Sequence, residues 1–203
     1  MDCFVIDTNF FVNLQRSIDL GKNKKEVVAN FIKLSSPLIT NNNIKLITTP
    51  GALKEIESFF EDQKPIQDLL KILTINSPSL NELSFSAVLF FDLVEEIGKR
   101  LYRGLRIAEE PIKQMVSQTN PKKELARIYI KELRDKYRRA TREGFLDSTI
   151  DLELILLAKQ TNAVIVTSDK GLLTWARKFG CQEILPENFV GKLKELLKTS
   201  DSA

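Results

Sequence analysis

The hydrophobic pattern of the chain alternates between short apolar runs and longer segments with helical periodicity. The apolar runs predict five strands, at Cys3–Ile6, Ile44–Thr48, Ile72–Ile75, Ala163–Thr167 and Glu183–Leu185. Apolar residues spaced three or four apart predict helices between them, at Thr8–Arg16, Lys24–Leu34, Gly51–Phe60, Asp147–Gln160, Leu172–Phe179 and Pro186–Leu197. Strands that alternate with helices favour an α/β fold, in which helices cover both faces of a parallel sheet.

The middle of the chain has a different pattern. From Ser84 to about Arg142 no strand is predicted, and the helical segments are punctuated at Gly104, Pro111 and Pro121. The sequence therefore predicts a sheet domain built from residues 1–80 and 144–203. An all-helical domain, residues 81–143, is inserted into it.

Acidic residues follow two of the predicted strands. Asp7 ends the first strand, and Asp169 ends the run Val164–Thr167 after Ser168. If these strands are neighbours across the reversal of strand order, both carboxylates face the crevice where open α/β sheets bind ligands. Asp147 and Asp151 are four residues apart, so both are predicted on one face of a helix, near its N-terminus.

Four carboxylates in one crevice repel each other, and a bound Mg²⁺ or Mn²⁺ would relieve that repulsion. The chain has no histidine, which excludes Ser-His-Asp triads and Cys/His zinc sites and leaves metal-activated water as the natural nucleophile. Each acid also has a structural explanation, as helix cap, turn former or solvated residue. Other candidates are the supporting groups Thr8, Asn9 and Ser168, and the reserve carboxylates Glu55 and Glu153.

Charge is distributed unevenly along the chain. Residues 99–142 contain 14 Lys or Arg and 5 Asp or Glu, whereas the whole chain has 30 and 27. A basic helical segment on an acidic body indicates a polyanionic partner. The basic residues on its last helix form a stripe that leads in sequence toward Asp147, and we predict that they bind phosphates of this partner: Arg127, Lys131, Arg134, Arg138, Arg139 and Arg142. The alternative is a solvated face paired with Glu124, Glu132 and Asp135.

These motifs resemble the PIN nuclease domain, which carries an acid after its first strand, acids on a late helix and an acid after a later strand. The stretch from Tyr137 to Gly144 and the basic insertion narrow the resemblance to the minimal protein-only ribonuclease P family (HARP) over essentially the whole chain. The resemblance implies a PIN-like three-layer parallel sheet with an inserted all-helical, basic subdomain for RNA binding and oligomerisation. It also implies that Asp7, Asp147, Asp151 and Asp169 are catalytic metal ligands.

By the same resemblance we expect removal of the 5′ leader from precursor tRNA, with 5′-phosphate left on the mature tRNA, no RNA subunit, and assembly into a large homo-oligomer through the insertion. Three alternatives stay open: a toxin-like PIN ribonuclease, a non-catalytic RNA-binding scaffold, and a haloacid dehalogenase-type phosphatase. The phosphatase needs an acid where Asn9 stands. No membrane span or signal peptide is predicted, and Cys3 and Cys181 are expected to be buried free thiols, which favours a cytoplasmic protein.

Overall fold

The computed structural model describes residues 1–13, 19–116, 123–142, 144–146 and 148–200. The chain divides into two compact units. The sheet unit comprises Met1–Leu83 and Ser148–Ala203, and the helical unit comprises Ser84–Asp147.

Five parallel strands form the sheet: β1 Asp2–Ile6, β2 Ile44–Thr48, β3 Leu73–Ile75, β4 Val164–Val166 and β5 Glu183–Ile184. The strand order is β3-β2-β1-β4-β5. The chain runs outward from β1 to β3 on one side, and then crosses to β4 and β5 on the other. The direction of strand order therefore reverses between β1 and β4, where Ile6 pairs with Val166. The predicted α/β fold with a parallel sheet is confirmed.

Helices fill the connections between strands and the long central segment. They are α1 Asn9–Val12, α2 Lys24–Thr40, α3 Pro50–Ser58, α4 Lys64–Leu69, α5 Ala87–Val116, α6 Lys123–Arg142, α7 Thr149–Thr161, α8 Lys170–Lys178 and α9 Pro186–Ser200. Of these, α5 and α6 belong to the helical unit.

Both faces of the sheet are covered, because successive residues of a strand point to opposite faces. Phe4 of β1 belongs to a buried cluster with Phe31 of α2 and Phe189 of α9. The rings of Phe4 and Phe189 lie 4.7 Å apart, between centroids. Val5 points to the opposite face, and α7, whose residues Leu154–Ala158 are buried, contacts both β1 and β4. The sheet is thus the middle of three layers.

Among the helices of the sheet unit, α2 and α4 differ most from the predictions. The second predicted helix was expected to end at Leu34, but α2 continues to Thr40 and includes Pro37. Proline removes one helical hydrogen bond, yet Leu38 beyond it is fully buried, so core packing offsets that cost. Helix α4 was not predicted. It is short, and Ile66 and Leu69 attach it to the core.

In the helical unit, α5 and α6 pack against each other. The predicted breaks at Gly104 and Pro111 are wrong, because α5 runs through both. Gly104 faces α6 so closely that a Cβ atom there would lie 2.7 Å from Cε2 of Tyr137, which explains a glycine in mid-helix. Pro111 lies near the end of α5, and α5 ends at Val116. Pro121 lies outside the described residues.

A buried arginine joins the two helices of this unit. Arg100 of α5 is 8% exposed, and its Nε lies 2.7 Å from the Glu96 carboxylate. Its Nη1 donates to the carbonyl oxygen of Thr141 near the end of α6, at 3.1 Å. The guanidinium also lies 4.7 Å from the ring centroid of Phe145. One side chain therefore ties α5 to the last turn of α6 and to the segment that follows.

Cys3 and Cys181 are free thiols, but they are half-buried rather than buried as expected. Burial raises the pKa of each thiol. Within the described part of the chain, each helix is too short or too polar to cross a membrane.

Candidate active site

The candidate site begins where β1 and β4 end. The Asp7 backbone N–H donates to the carbonyl oxygen of Val166 at 3.2 Å, so the two strands stay paired up to that residue. Asp7 and Thr167 then leave the sheet side by side. This is the crevice at the reversal of strand order, where the sequence predicted that Asp7 and Asp169 would meet.

The side chain of Thr167 connects these two acids. Its hydroxyl donates to Oδ2 of Asp7 at 2.6 Å and accepts from the backbone N–H of Asp169 at 3.0 Å. The backbone N–H of Asp169 can only donate, so the single proton of the hydroxyl points to the carboxylate of Asp7. Thr167 therefore sets the position of both acids relative to each other. Sequence reasoning missed it, although its place one residue beyond a strand aligned with β1 was a usable signal.

The carboxylate of Asp7 is 3% exposed. Burial raises its pKa from 3.8 to about 6, against the opposing effect of hydrogen bonds from Thr167 and Asn9. The nearby charge of Asp169 raises the pKa further. An ionised Asp7 is thus costly in this environment, and a cation bound beside it would lower that cost.

Asp169 has a second, structural role. It is the N-cap of α8, and its Oδ1 accepts from the backbone N–H of Leu172 at 2.8 Å. The structural alternative for Asp169 was a turn former, and the structure instead gives one of its oxygens the role of a helix cap. A carboxylate has two oxygens and about four lone-pair sites, so the cap does not exclude metal binding.

The three predicted supporting groups have different partners. Asn9 forms hydrogen bonds with Asp7 that lower the pKa of that carboxyl. Thr8 instead donates to the carbonyl oxygen of Ala52 in α3, at 3.3 Å. The hydroxyl of Ser168 accepts from Asn13 at 3.5 Å. Of the three, Asn9 is therefore the one that contacts an acid of the candidate site, Asp7.

The acids of the late helix are only partly described. Helix α7 begins at Thr149 rather than at Asp147, and Ser148 is its N-cap, with its hydroxyl accepting from the Ile150 N–H at 3.1 Å. Asp151 is half-buried in the first turn of α7. Asp147 lies outside the described residues, so its predicted position on the same helix face as Asp151 stays a prediction.

The two reserve carboxylates lie elsewhere. Glu153 places Oε2 beside the start of α3, where a Cβ atom added to Gly51 would approach it to 3.1 Å. Glu55 is exposed on α3. In the part of the chain that the structure describes, neither forms a hydrogen bond with Asp7 or Asp169.

Within the described residues, no three acidic or cysteine side chains are grouped closely enough to hold a metal ion. Asp7 and Asp169 alone still fit a hard divalent cation. Mg²⁺ keeps several waters and is commonly bound through one or two carboxylates together with substrate phosphates. The pair of a buried and a half-buried carboxylate has the donor chemistry that such an ion requires. The predicted set of four ligands stays a prediction.

The predicted RNA-binding residues all lie on α6 and are exposed: Arg127, Lys131, Arg134, Arg138, Arg139 and Arg142. The alternative explanation paired them with acids of the same helix. Among the described side chains of α6, Glu132 and Asp135 form no ion pair with the stripe, and Arg139 donates to the Asp135 carbonyl oxygen instead. Lys136, outside the predicted set, pairs with Glu110 of α5 at 3.7 Å. Among the described side chains, Glu132 and Asp135 therefore do not neutralise the positive charge of the stripe.

Comparisons with known proteins identify the family of the chain. The family model described as "PINc domain ribonuclease" matches residues 3–198. A protein of Pyrococcus furiosus named RNA-free ribonuclease P is 35% identical over 199 residues, which cover 98% of this chain and 96% of that protein. Proteins of the same name from Pyrococcus abyssi and Thermococcus onnurineus are both 34% identical. These alignments cover 98% and 96% of this chain, and 96% and 94% of the respective relatives.

Proposed function

The chain belongs to the PINc domain ribonuclease family, and we propose that it is a protein-only ribonuclease P. In this proposal it is a metal-dependent endoribonuclease that removes the 5′ leader from precursor tRNA without an RNA subunit. The name RNA-free ribonuclease P, shared by relatives aligned over nearly the whole chain, supports both the substrate and the absence of an RNA component. A cytoplasmic location is part of the proposal.

The observation that carries the enzymatic proposal is the pair of Asp7 and Asp169 at the reversal of strand order, linked through Thr167. We assign Asp7, Asp147, Asp151 and Asp169 as the metal-binding and catalytic residues. A bound Mg²⁺ or Mn²⁺ would supply activation of water and neutralise charge on the scissile phosphodiester. Cleavage in this way leaves 5′-phosphate on the mature tRNA.

The residues of the chain have defined tasks in this scheme. Thr167 positions the Asp7 carboxylate relative to the backbone of Asp169, because its hydroxyl bonds to both. Asn9 hydrogen bonds stabilise the ionised form of Asp7, the form that binds a cation. The peptide N–H of Leu172 holds Asp169 in place through the helix cap. The site is thus arranged before the substrate arrives.

The helical unit is assigned to substrate binding. The six basic residues of α6 would contact phosphates of the tRNA backbone, which positions an RNA helix without reading its sequence. Their exposure, and the lack of pairing with Glu132 and Asp135 described above, support this assignment.

We also assign the helical unit to self-association into a large homo-oligomer. Apolar side chains on α5 recur at spacings of three, four and seven residues and so form one face: Phe91, Val94, Ile97, Leu101, Leu105 and Ile112. All of them are exposed, Phe91 by 75%. A contiguous apolar face of this length indicates a protein interface, and a second copy of the chain is the proposed occupant.

The test of the enzymatic proposal is incubation of the purified protein with a 5′-leader precursor tRNA and Mg²⁺, beside an EDTA control. A single cut at the mature 5′ end, with 5′-phosphate on the product and no cut in EDTA, is the expected result. Cuts at many sites would instead indicate a general PIN ribonuclease. Binding without cleavage, across several divalent metals, would indicate a non-catalytic scaffold.

A further inference from the structure

A pocket of about 480 Å³ opens between the two helices of the helical unit. Its volume is in the range of pockets that bind small organic ligands. Its lining combines an aromatic ring, aliphatic side chains and arginines: Ala108, Leu133, Arg134, Tyr137, Arg138, Thr141 and Arg142. The proposed role of α6 in phosphate binding does not require such a cavity.

The aromatic ring of this pocket is held in place by the opposite helix. Tyr137 packs on Gly104, where a Cβ atom would lie 2.7 Å from its Cε2 and 3.2 Å from its Cζ. The same side chain is 42% exposed. One part of the ring therefore rests on the α5 backbone, and the rest is open to the pocket and to solvent. A fixed, accessible ring of this kind suits stacking with another planar group.

The charges around the ring are all positive. Arg134, Arg138 and Arg142 follow each other at four-residue spacing on α6, and no acidic side chain is among the described residues that line the pocket. In the part of the chain that the structure describes, Arg134 and Arg138 form no ion pair, whereas the neighbouring Lys136 is paired with Glu110. The pocket therefore offers guanidinium groups to an anion beside a surface for a planar apolar group.

We propose that this pocket binds one unpaired nucleotide of the RNA substrate. The base stacks on Tyr137 above Leu133 and Ala108, and Arg134 and Arg138 bind its flanking phosphates. Sequence-tolerant stacking of a base on an aromatic side chain, with basic residues along the backbone, is a general mode of single-strand binding. This inference rests on the proposed function, since it assumes an RNA substrate, and it adds an unpaired site to the shape and phosphate recognition assigned to α6.

The variants that test stacking leave the charge of the helical unit unchanged. Ala108→Leu fills the pocket from α5, Tyr137→Leu removes the ring, and Tyr137→Phe keeps it. Tyr102→Leu is the matched control, because Tyr102 is 65% exposed on α5 and does not line the pocket. All are made in an Asp7→Asn background with Mg²⁺ present, so that the RNA remains intact. Affinity is measured for a 5′-leader precursor tRNA and for a blunt, fully paired RNA duplex.

Ala108→Leu and Tyr137→Leu are expected to bind precursor tRNA about tenfold more weakly, and to bind the duplex as the parent does. Tyr137→Phe and Tyr102→Leu are expected to bind both RNAs as the parent does. The salt dependence of binding separates stacking from phosphate contacts. Tyr137→Leu should leave its slope unchanged, and Arg138→Gln should reduce it by about 1.

Unchanged affinity of a folded Ala108→Leu variant for precursor tRNA would overturn the proposal. An equal loss for precursor tRNA and duplex would also overturn it, because no unpaired nucleotide is then involved. A change in oligomer mass without a change in RNA affinity would assign the pocket to contact between copies of the chain. If circular dichroism shows that Tyr137→Leu does not fold, Ala108→Leu decides the outcome. Cleavage of the tRNA by wild-type protein tests the proposed function separately.

Discussion

The sheet unit and the helical unit bury their side chains in opposite ways. The sheet unit has a core of fully buried aromatic and aliphatic residues on both faces of β1. In the described part of the helical unit, the residues that are buried are Arg100 and Gly104, and apolar side chains cover an exposed face of α5. The sheet unit can thus hold acids at a fixed geometry. The exposed apolar face of the helical unit indicates a binding surface.

The same contrast holds for electrostatics. In the sheet unit, a carboxyl group is buried beside another acid, where its ionisation is unfavourable without a cation. In the helical unit, the predicted RNA-binding residues of α6 are exposed, and Arg134 and Arg138 form no ion pair with another described residue. Both the burial and the sign of the charged groups therefore distinguish the proposed catalytic unit from the proposed substrate-binding unit. Four predictions follow the contrast.

The first concerns loss of one buried acid. Asp7→Asn is expected to lower kcat for precursor tRNA cleavage by about three orders of magnitude, because several kcal/mol of metal-derived stabilisation is lost at about 1.4 kcal/mol per tenfold. RNA affinity should change little, since the helical unit is untouched. Single-turnover cleavage and filter binding measure the two effects. Asp62→Asn, at an exposed acid paired with Lys25, is the control. Equal activity of both variants would remove Asp7 from the active site.

The second concerns the pH dependence of stability in metal-free protein. The pKa of Asp7 is about 6 when folded and 3.8 in its ordinary state, so the folded protein holds this proton more tightly than the unfolded chain. That contribution is complete below pH 4 and is lost as pH rises through 6. The contribution of Asp7 to the free energy of unfolding should therefore fall by about 3 kcal/mol across this window.

The measurement is urea denaturation in EDTA, followed by the fluorescence of Trp175, which is the single tryptophan and is buried in the sheet unit. The Asp7→Asn variant lacks the titrating group and serves as the reference. The difference in unfolding free energy between wild type and variant should change with pH in the stated direction. A difference that is constant from pH 4 to pH 7 would contradict a raised pKa at Asp7.

The third tests the hydroxyl that links the two acids. Thr167→Val keeps the shape of the side chain but removes its hydrogen bonds to Asp7 and Asp169. Activity and Mn²⁺ affinity are both expected to fall 10- to 100-fold, as is usual when a partner of metal ligands is removed. Thr167→Ser should restore most of both quantities. If Ser behaves like Val, the effect comes from packing of the methyl group and not from the hydroxyl.

The fourth tests how the helical unit is held together. Arg100→Lys keeps the charge but removes the planar guanidinium. A lysine cannot contact Glu96, Thr141 and the ring of Phe145 at the same time. The expected cost is about 1 kcal/mol, confined to α5 and α6. Hydrogen exchange of these two helices measures it. Arg103→Lys, at an exposed arginine of the same helix, should have no effect. Equal protection from hydrogen exchange in the two variants would mean that Arg100 does not link α5 to α6.

Much of the molecule was determined by the sequence alone. All five strands were predicted to within a residue or two. The clearest were β1 and β4, because a strand buried on both faces needs a continuous apolar run. The acids after β1 and β4 followed from the same runs, since ligands bind where such strands end. The helical character of the middle segment and its excess of basic residues were also predictable. Together, the acids and the basic helical segment were specific enough to indicate a PIN-type ribonuclease, and the comparisons confirm that family.

Other features were decided only by tertiary structure. Local propensity argued for a break in α5 at Gly104, but the ring of Tyr137 takes the space that a side chain would fill. Local propensity also predicted that α2 would end before Pro37, but the helix continues to Thr40 because Leu38 is buried in the core. The role of Thr167 depends on the register between β1 and β4, two segments about 160 residues apart in the chain. Propensity acts between neighbours in sequence, whereas these outcomes depend on which distant side chains share one volume.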